Sequence, residues 1–225
     1  MNPNLITQET IKDLVAKGIK TLKISHGTIV TSSAAELAAA NGIQLIEVPP
    51  ASSPNDITSK SREPATLGSL QDKNRGAIIA FGSDHGGFEL KEALKKQAIS
   101  LGYKVVDVGT HDEKPCDYPE FAYAVARAVS DGEAWRGVMI DGAGIGSCVV
   151  ANKIPGIRAA CCHNEFTARN AREHNDTNVL TLGSRVTGIE VCKEILRVWL
   201  ETWFSGGRHK QRVDKISDVE RRFMK

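Results

Sequence analysis

From Gly76 onward, short apolar runs alternate with stretches whose apolar residues recur every three or four positions. The runs are AIIAFGS (77–83), KVVDVG (104–109), RGVMID (136–141), GIRAACC (156–162) and NVLTLG (178–183). The helical stretches run from about Gly87 to Leu101, with Leu90, Leu94 and Ala98 on one face, then from about Pro119 to Val129 and from Gly144 to Lys153. Two more cover 165–173 (EFTARNARE) and about Gly188 to Phe204. Strands that are apolar almost throughout suit burial on both faces, and a helix after each one predicts a parallel sheet. The fold class expected for 76–225 is therefore α/β, a five-stranded parallel sheet covered by helices on both faces.

The pattern before Gly76 differs. Thr7 can cap a helix carrying Ile11, Leu14 and Val15, stopped by Gly18. TLKI (21–24) and TIV (28–30) read as strands, Ser32 or Ser33 opens a second helix that Gly42 ends, and IQLIEV (43–48) reads as a third strand. Residues 1–48 thus form a small α+β unit whose core is too small for much stability alone, which suggests that it docks onto something. Between the two units, 49–75 is rich in Pro, Ser and charge and reads as a flexible linker.

Composition adds mainly exclusions. Lys and Arg number 29 against 27 Asp and Glu, a net charge of +2 that leaves no footprint for nucleic acid. No apolar stretch is long enough to span a membrane, and there is no secretory signal pattern. The five cysteines match no disulfide framework or zinc knuckle, which points to a reduced, cytoplasmic setting. Cys148, Cys161 and Cys192 fall in apolar runs and are expected to be small core residues.

Ligands of open parallel sheets bind beyond the carboxyl ends of the strands. The residues expected there are Asp84 and His85, then His111, Asp117 and Tyr118, then Asp141 with Gly142, Gly144 and Gly146, then His163 and Asn164. His174 and Asn175 close the next helix, and Arg208, His209 and Arg212 follow in the tail, so five of the six histidines are expected along one edge. The glycine loop between strand and helix is either a cradle of backbone N–H groups for an anion or an ordinary tight turn. Arg208 and Arg212, four apart, either clasp a phosphate from one helix face or form a solvated basic face.

Taken together, GSDHGGFELK, DYPEFA, ANKIPGIRAA, REHNDTNVLTLGSRVTG and GGRHKQRV resemble the ribose-5-phosphate isomerase B family, which includes the galactose-6-phosphate isomerase subunits. The resemblance runs from Ile78 to about Arg222. It implies a Rossmann-like α/β/α sandwich in dimers or tetramers whose active sites are shared between subunits. It also implies an aldose–ketose interconversion of a phosphorylated pentose or hexose through an enediolate, with no cofactor or metal. By position, His174 would assist ring opening, and Asp84 and His85 would contact sugar hydroxyls or phosphate. Arg208 and Arg212, from the same or the neighbouring subunit, would hold the phosphate, while His209 and Tyr118 would line the pocket. The amides of Gly142 to Gly146, with Asn175, would stabilise the enediolate oxygen.

One position departs from that pattern. The family's loop begins Cys-Gly-Thr-Gly with the cysteine as base, and here it reads Asp141-Gly142-Ala143-Gly144. The alternative glutamate position holds Ser147. Three readings stay open: Asp141 replaces the thiol as base, the protein is a weak or silent sugar-phosphate-binding homologue or subunit partner, or it runs a different reaction on a similar phosphorylated sugar. The N-terminal unit resembles short extensions on enzymes of bacterial microcompartments, which implies docking of 1–48 to a shell or cargo protein, or an accessory dimerisation role.

Overall fold

The computed structural model describes residues 5–25, 28–48, 74 and 76–224. The linker expected over 49–75 lies outside the described residues except for Asn74. Two compact units result, one within 1–75 and the other spanning 76–225.

In the first unit, β1 (Leu5–Ile6) leads to α1 (Gln8–Ala16) and β2 (Thr21–Ser25), and β3 (Ile29–Val30) leads to α2 (Ser32–Ala40) and β4 (Gln44–Val48). β1 pairs with β3 and β2 with β4, both parallel. The two halves repeat each other at an offset of 24 residues (31 − 7): Thr7 and Thr31 accept from the third amide of α1 and α2. Gly18 and Gly42, at the same offset, leave the helices with φ +67° and +65°. Ile6, Ile11, Leu14, Ala34, Ala38 and Ile43 form the unit's own small core.

The second unit contains β5 (Ile78–Ser83), β6 (Lys104–Asp107), β7 (Arg136–Asp141), β8 (Ala159–Cys161) and β9 (Val179–Gly183) in one sheet. Their order is β6-β5-β7-β9-β8, with every neighbouring pair parallel. The helices are α3 (Phe88–Ser100), α4 (Tyr118–Ser130), α5 (Ile145–Ala151), α6 (Glu165–Asn175), α7 (Ile189–Glu201) and α8 (Arg208–Phe223). α4 packs against α5 on one face, while α3 and α6 each pack against α7 on the other. The core lies between sheet and helices, with Ile79, Phe81, Val138, Ile140, Leu180 and Leu182 meeting Leu94, Ile195, Leu196 and Trp199. Cys162 and Cys192 are buried, whereas Cys148 and Cys161 are only partly so, which corrects the expectation for those two.

The chain leaves β5 toward β6 on one side and then crosses to β7 on the other. In such sheets the point of reversal opens a crevice at the carboxyl ends. Here it lies between β5 and β7, whose Ser83 and Ile140 are paired, so that Asp84 and Asp141 emerge side by side.

A buried lysine shapes one wall of that edge. Lys91 of α3, 0% exposed, donates to both carboxylate oxygens of Asp107 at 2.7 and 2.8 Å and to the Thr110 carbonyl at 2.5 Å. Burial works against the charged form of Asp107, but Lys91 and Lys95 outweigh it and hold its carboxyl below the ordinary value. Removing one partner of a buried pair strands the other. Lys91→Met is therefore expected to lower stability by about 3 kcal/mol, read as a lower urea midpoint at constant slope. Because the folded carboxyl is depressed, its stabilisation is present above the unfolded pKa of about 3.9 and disappears as pH falls through the lower folded value. The variant should lose much of that acid-side dependence.

Candidate active site

Asp84 follows β5 and caps a 3-10 turn, His85–Gly87, its Oδ1 accepting from the Gly87 amide at 2.9 Å. Burial raises its carboxyl above the ordinary value, the Gly87 amide and His85 oppose this, and the nearby charge of Asp141 adds to it. The Cys116 amide donates to His85 Nδ1 at 3.2 Å, which leaves the proton on Nε2; the Cys116 carbonyl, 3.3 Å from the same nitrogen, is its partner in the other tautomer. Cys116 belongs to the loop between β6 and α4, so that loop fixes the histidine of the neighbouring strand end.

Tyr118, the first residue of α4, is 38% exposed and lies against the glycine loop. A Cβ on Gly146 would sit 2.6 Å from Tyr118 Cζ and 2.8 Å from its hydroxyl, so only glycine admits the ring there. Gly144 caps α5 with φ +78°, and a Cβ there would meet Cys161 Sγ at 2.8 Å and the Gly183 amide nitrogen at 3.0 Å. The loop thus lies flat on the end of β9. Gly142 has no such constraint, since a Cβ would meet only Arg185 Cδ at 3.9 Å.

The carboxylate of Asp141 is turned into this loop and is 4% exposed. Its Oδ1 accepts from the Ala143 amide at 2.7 Å and from the Gly144 amide. Its Oδ2 accepts from the Ser147 amide at 3.0 Å and from the Ser147 hydroxyl at 2.5 Å. Each oxygen has two donors, which fills the acceptor capacity of a carboxylate. The Gly144 amide, expected to face a substrate oxygen, is directed at Asp141.

His174 and Asn175 end α6, which starts beyond the carboxyl end of β8 and must return the chain to the start of the parallel β9. Their neighbours confirm the opposite edge. Arg158, which precedes β8, donates from Nε to the Asn175 carbonyl at 3.1 Å and from Nη2 to Asp176 at 3.0 Å. Arg136, the first residue of β7, donates to the carbonyls of Trp199, Leu200 and Thr202 at the end of α7. α8 starts from that side, and the His209 ring stacks on the His174 ring with centroids 4.0 Å apart and planes within 6°. The expectation of five histidines along one edge is therefore corrected. His85, His111 and His163 follow strands, whereas His174 and His209 lie at the amino edge, about 20 Å away across a six-residue strand.

The amino-edge group has its own internal order. Asn170 Nδ2 donates to His174 Nδ1 at 2.8 Å, which leaves the His174 proton on Nε2; this i,i+4 partner was missed in the sequence, although the spacing places it. His209 is 7% exposed, and its Nδ1 has no hydrogen-bond partner among the described residues. Burial and the charges of His174, Arg208 and Arg212 push its imidazole below the ordinary value. Arg208 and Arg212 are both exposed, one turn apart on α8. Among the described residues no group of three or more His, Cys, Asp or Glu side chains could hold a metal ion, and no helix is long and apolar enough to cross a membrane.

Comparison with known proteins gives a consistent picture. The family profile described as Ribose/Galactose Isomerase matches residues 79–216. Ribose-5-phosphate isomerase B of Escherichia coli (strain K12) is 46% identical over 144 residues, 64% of this chain and 97% of that protein. D-erythrulose-4-phosphate isomerase of Pectobacterium atrosepticum is 42% identical, over 63% of this chain and 94% of that protein. The solved ribose-5-phosphate isomerase B of Clostridium thermocellum is 48% identical with a TM-score of 0.64, covering 65% of this chain and 99% of that one. All three likenesses cover only about two thirds of this chain while covering nearly all of the relative.

Proposed function

Since the chain belongs to the ribose/galactose isomerase family, we propose that it interconverts the aldose and ketose forms of a phosphorylated sugar, ribose 5-phosphate and ribulose 5-phosphate first among them. The active site is completed by a second copy of the chain. The observation that carries this reading is the separation of the two residue groups. Asp84, His85, Tyr118 and Asp141 surround the crevice at the carboxyl edge, while His174, Asn175, Arg208, His209 and Arg212 gather at the amino edge. A single sugar phosphate cannot touch both groups of one chain across about 20 Å. Two copies related by a two-fold axis bring the amino edge of each to the carboxyl edge of the other, giving a homodimer, or a tetramer of two such pairs, with two equal sites. Large apolar residues left exposed on α5 and α6, Ile145, Val149 and Phe166, suit such an interface.

In this site the exposed pair Arg208 and Arg212 clasps the phosphate with charge-assisted bonds. The Nε2–H of His174 passes to the ring oxygen as the C1–O bond of the furanose breaks, and the anomeric hydroxyl proton returns to His174 as the C1 carbonyl forms. Asp141 takes the proton from C2 as the C–H electron pair forms the C1–C2 double bond of the enediolate and the C1 carbonyl pair moves onto O1; the proton then returns to C1 while the O2 hydroxyl proton passes to O1 and the carbonyl re-forms at C2. Asp84 and the Nε2–H of His85 orient the sugar hydroxyls. No step needs an oxidant or a metal.

A second reading, binding without turnover, is favoured by one observation: all four acceptor positions of Asp141 are occupied within its own loop. Incubation with ribose 5-phosphate in D2O separates the two. Turnover predicts deuterium at C2 of the recovered aldose together with ribulose 5-phosphate. Binding with neither product would leave a sugar-phosphate receptor.

The unit within residues 1–48 lies outside the matched span 79–216 and has a core of its own. It serves as a docking module, for which a microcompartment shell or a co-packaged protein is the partner that its sequence resemblance suggests. Deletion of residues 1–75 is expected to leave the thermal transition of the remainder within a few degrees and KM unchanged. A core that unfolds, or a site that loses its affinity, would show that the unit is an integral part of the enzyme.

A further inference from the structure

Ser147 is the one partner of Asp141 that can change its role during proton transfer. Three of the four donors on the carboxylate are backbone N–H groups, of Ala143, Gly144 and Ser147, fixed by the loop and by the start of α5. An N–H can only donate. The fourth is the Ser147 hydroxyl, 2.5 Å from Oδ2 on a residue with no exposed surface. A hydroxyl can turn its hydrogen elsewhere and accept instead.

We propose that Ser147 is a positioning residue for the isomerisation, selecting Oδ2 of Asp141 as the oxygen that carries the proton between C2 and C1; this rests on the reading of Asp141 as the base. Oδ1 cannot take a proton without displacing a backbone donor, and the loop is pressed onto Gly183 too closely to move, since a Cβ there would lie 2.7 Å from Ala143. Oδ2 gains a free lone pair when the Ser147 hydroxyl turns away. A helix serine commonly donates to the carbonyl four residues back, here Ala143, whose oxygen receives the Cys161 thiol at 3.7 Å. As the C2 proton arrives, its C–H electron pair passes into the C1–C2 bond and the carbonyl pair onto O1. The new Oδ2–H is then held by the Ser147 oxygen until the proton is delivered to C1 with the C1–C2 double-bond pair, while the O2 hydroxyl proton passes to O1 and the O2 electron pair forms the C2 carbonyl. Every atom comes from the substrate or the carboxyl group, and the hydroxyl returns to its first position.

The test compares Ser147→Ala with Ser147→Thr in the full-length protein. Alanine keeps the backbone donor and suits a helix, so the loop retains three of its four bonds. The expected result is a fall in kcat of about thirtyfold with KM within twofold, the same loss in the rate of deuterium entry at C2, and recovery to within about fivefold of the starting kcat for Ser147→Thr. A purely structural role would instead raise KM and lower the thermal transition together, and threonine would restore stability without restoring kcat. Unchanged kcat in Ser147→Ala overturns the inference while leaving the isomerase intact. Absence of turnover and exchange in the unaltered protein overturns the reading of Asp141 as base, and this inference with it.

Discussion

Asp141→Asn is expected to lower kcat by about 10³-fold and stability by about 2 kcal/mol, two losses with separate causes. The first follows from the proposed role of Asp141 as the group that carries the proton. The second follows from the loop geometry, because every donor around residue 141 points inward: two amides at Oδ1, and one amide and one hydroxyl at Oδ2. An asparagine must turn its NH2 group toward one of these pairs. Facing Ala143 and Gly144, it would strand two amides. Facing Ser147, it strands one, because the hydroxyl can accept, and that orientation sets the smaller expected cost. Steady-state kinetics and urea unfolding on the same preparation check both figures. A drop in stability with kcat preserved would mean that the carboxylate serves the loop alone and that the proton moves by another route.

In the proposed mechanism Asp141 thus serves both the reaction and its own loop. The Ala143 and Gly144 amides, together with that of Ser147, are gathered around the protein's own carboxylate rather than left for a substrate oxygen, and the Ser147 hydroxyl is its one side-chain contact among the described residues. Sequence reading placed Asp141 at the strand end and Gly144 and Gly146 in the loop, because an apolar run ending in aspartate and alternate glycines has few other structures open to it. In the sequence, Ser147 stands out only as the residue at the alternative glutamate position. Its actual importance, as a partner of Asp141, depends on the turn bringing residue 147 back over residue 141, which spacing alone does not reveal.

The sheet was legible for a similar reason. Five largely apolar strands leave five apolar runs, and the structure keeps RGVMID whole and trims the other four by one to four residues, as with GIRAACC, of which only Ala159–Cys161 is strand. β1, with two residues, is too short to produce a pattern. The 24-residue repeat of the N-terminal unit was present in the sequence, in Thr7 and Thr31 and in Gly18 and Gly42, and could be found by shifting the chain against itself. The placement of His174 failed on topology. Residues just after a strand lie at the carboxyl edge, but residues just after a crossover helix lie at the other, and α6 carries His174 and Asn175 the full height of the sheet. Resemblance implied sites shared between subunits without saying which side His174 serves; the direction of α6 places it at the edge opposite Asp141 in one chain.

The claim on which the account depends is therefore that each active site takes its base from one copy and its ring-opening histidine from another. Subunit mixing tests it directly. Asp141→Asn and His174→Ala are prepared separately, each with activity near background, then mixed in equal amounts under conditions that allow subunit exchange. In a two-fold pair with shared sites, a mixed dimer has one site carrying both substitutions and one carrying neither. Random exchange makes about half of the dimers mixed, so activity is expected to rise to about a quarter of the unaltered protein's. Exchange confirmed by mass, with activity remaining at background, would place both residues in one chain's site and contradict the account.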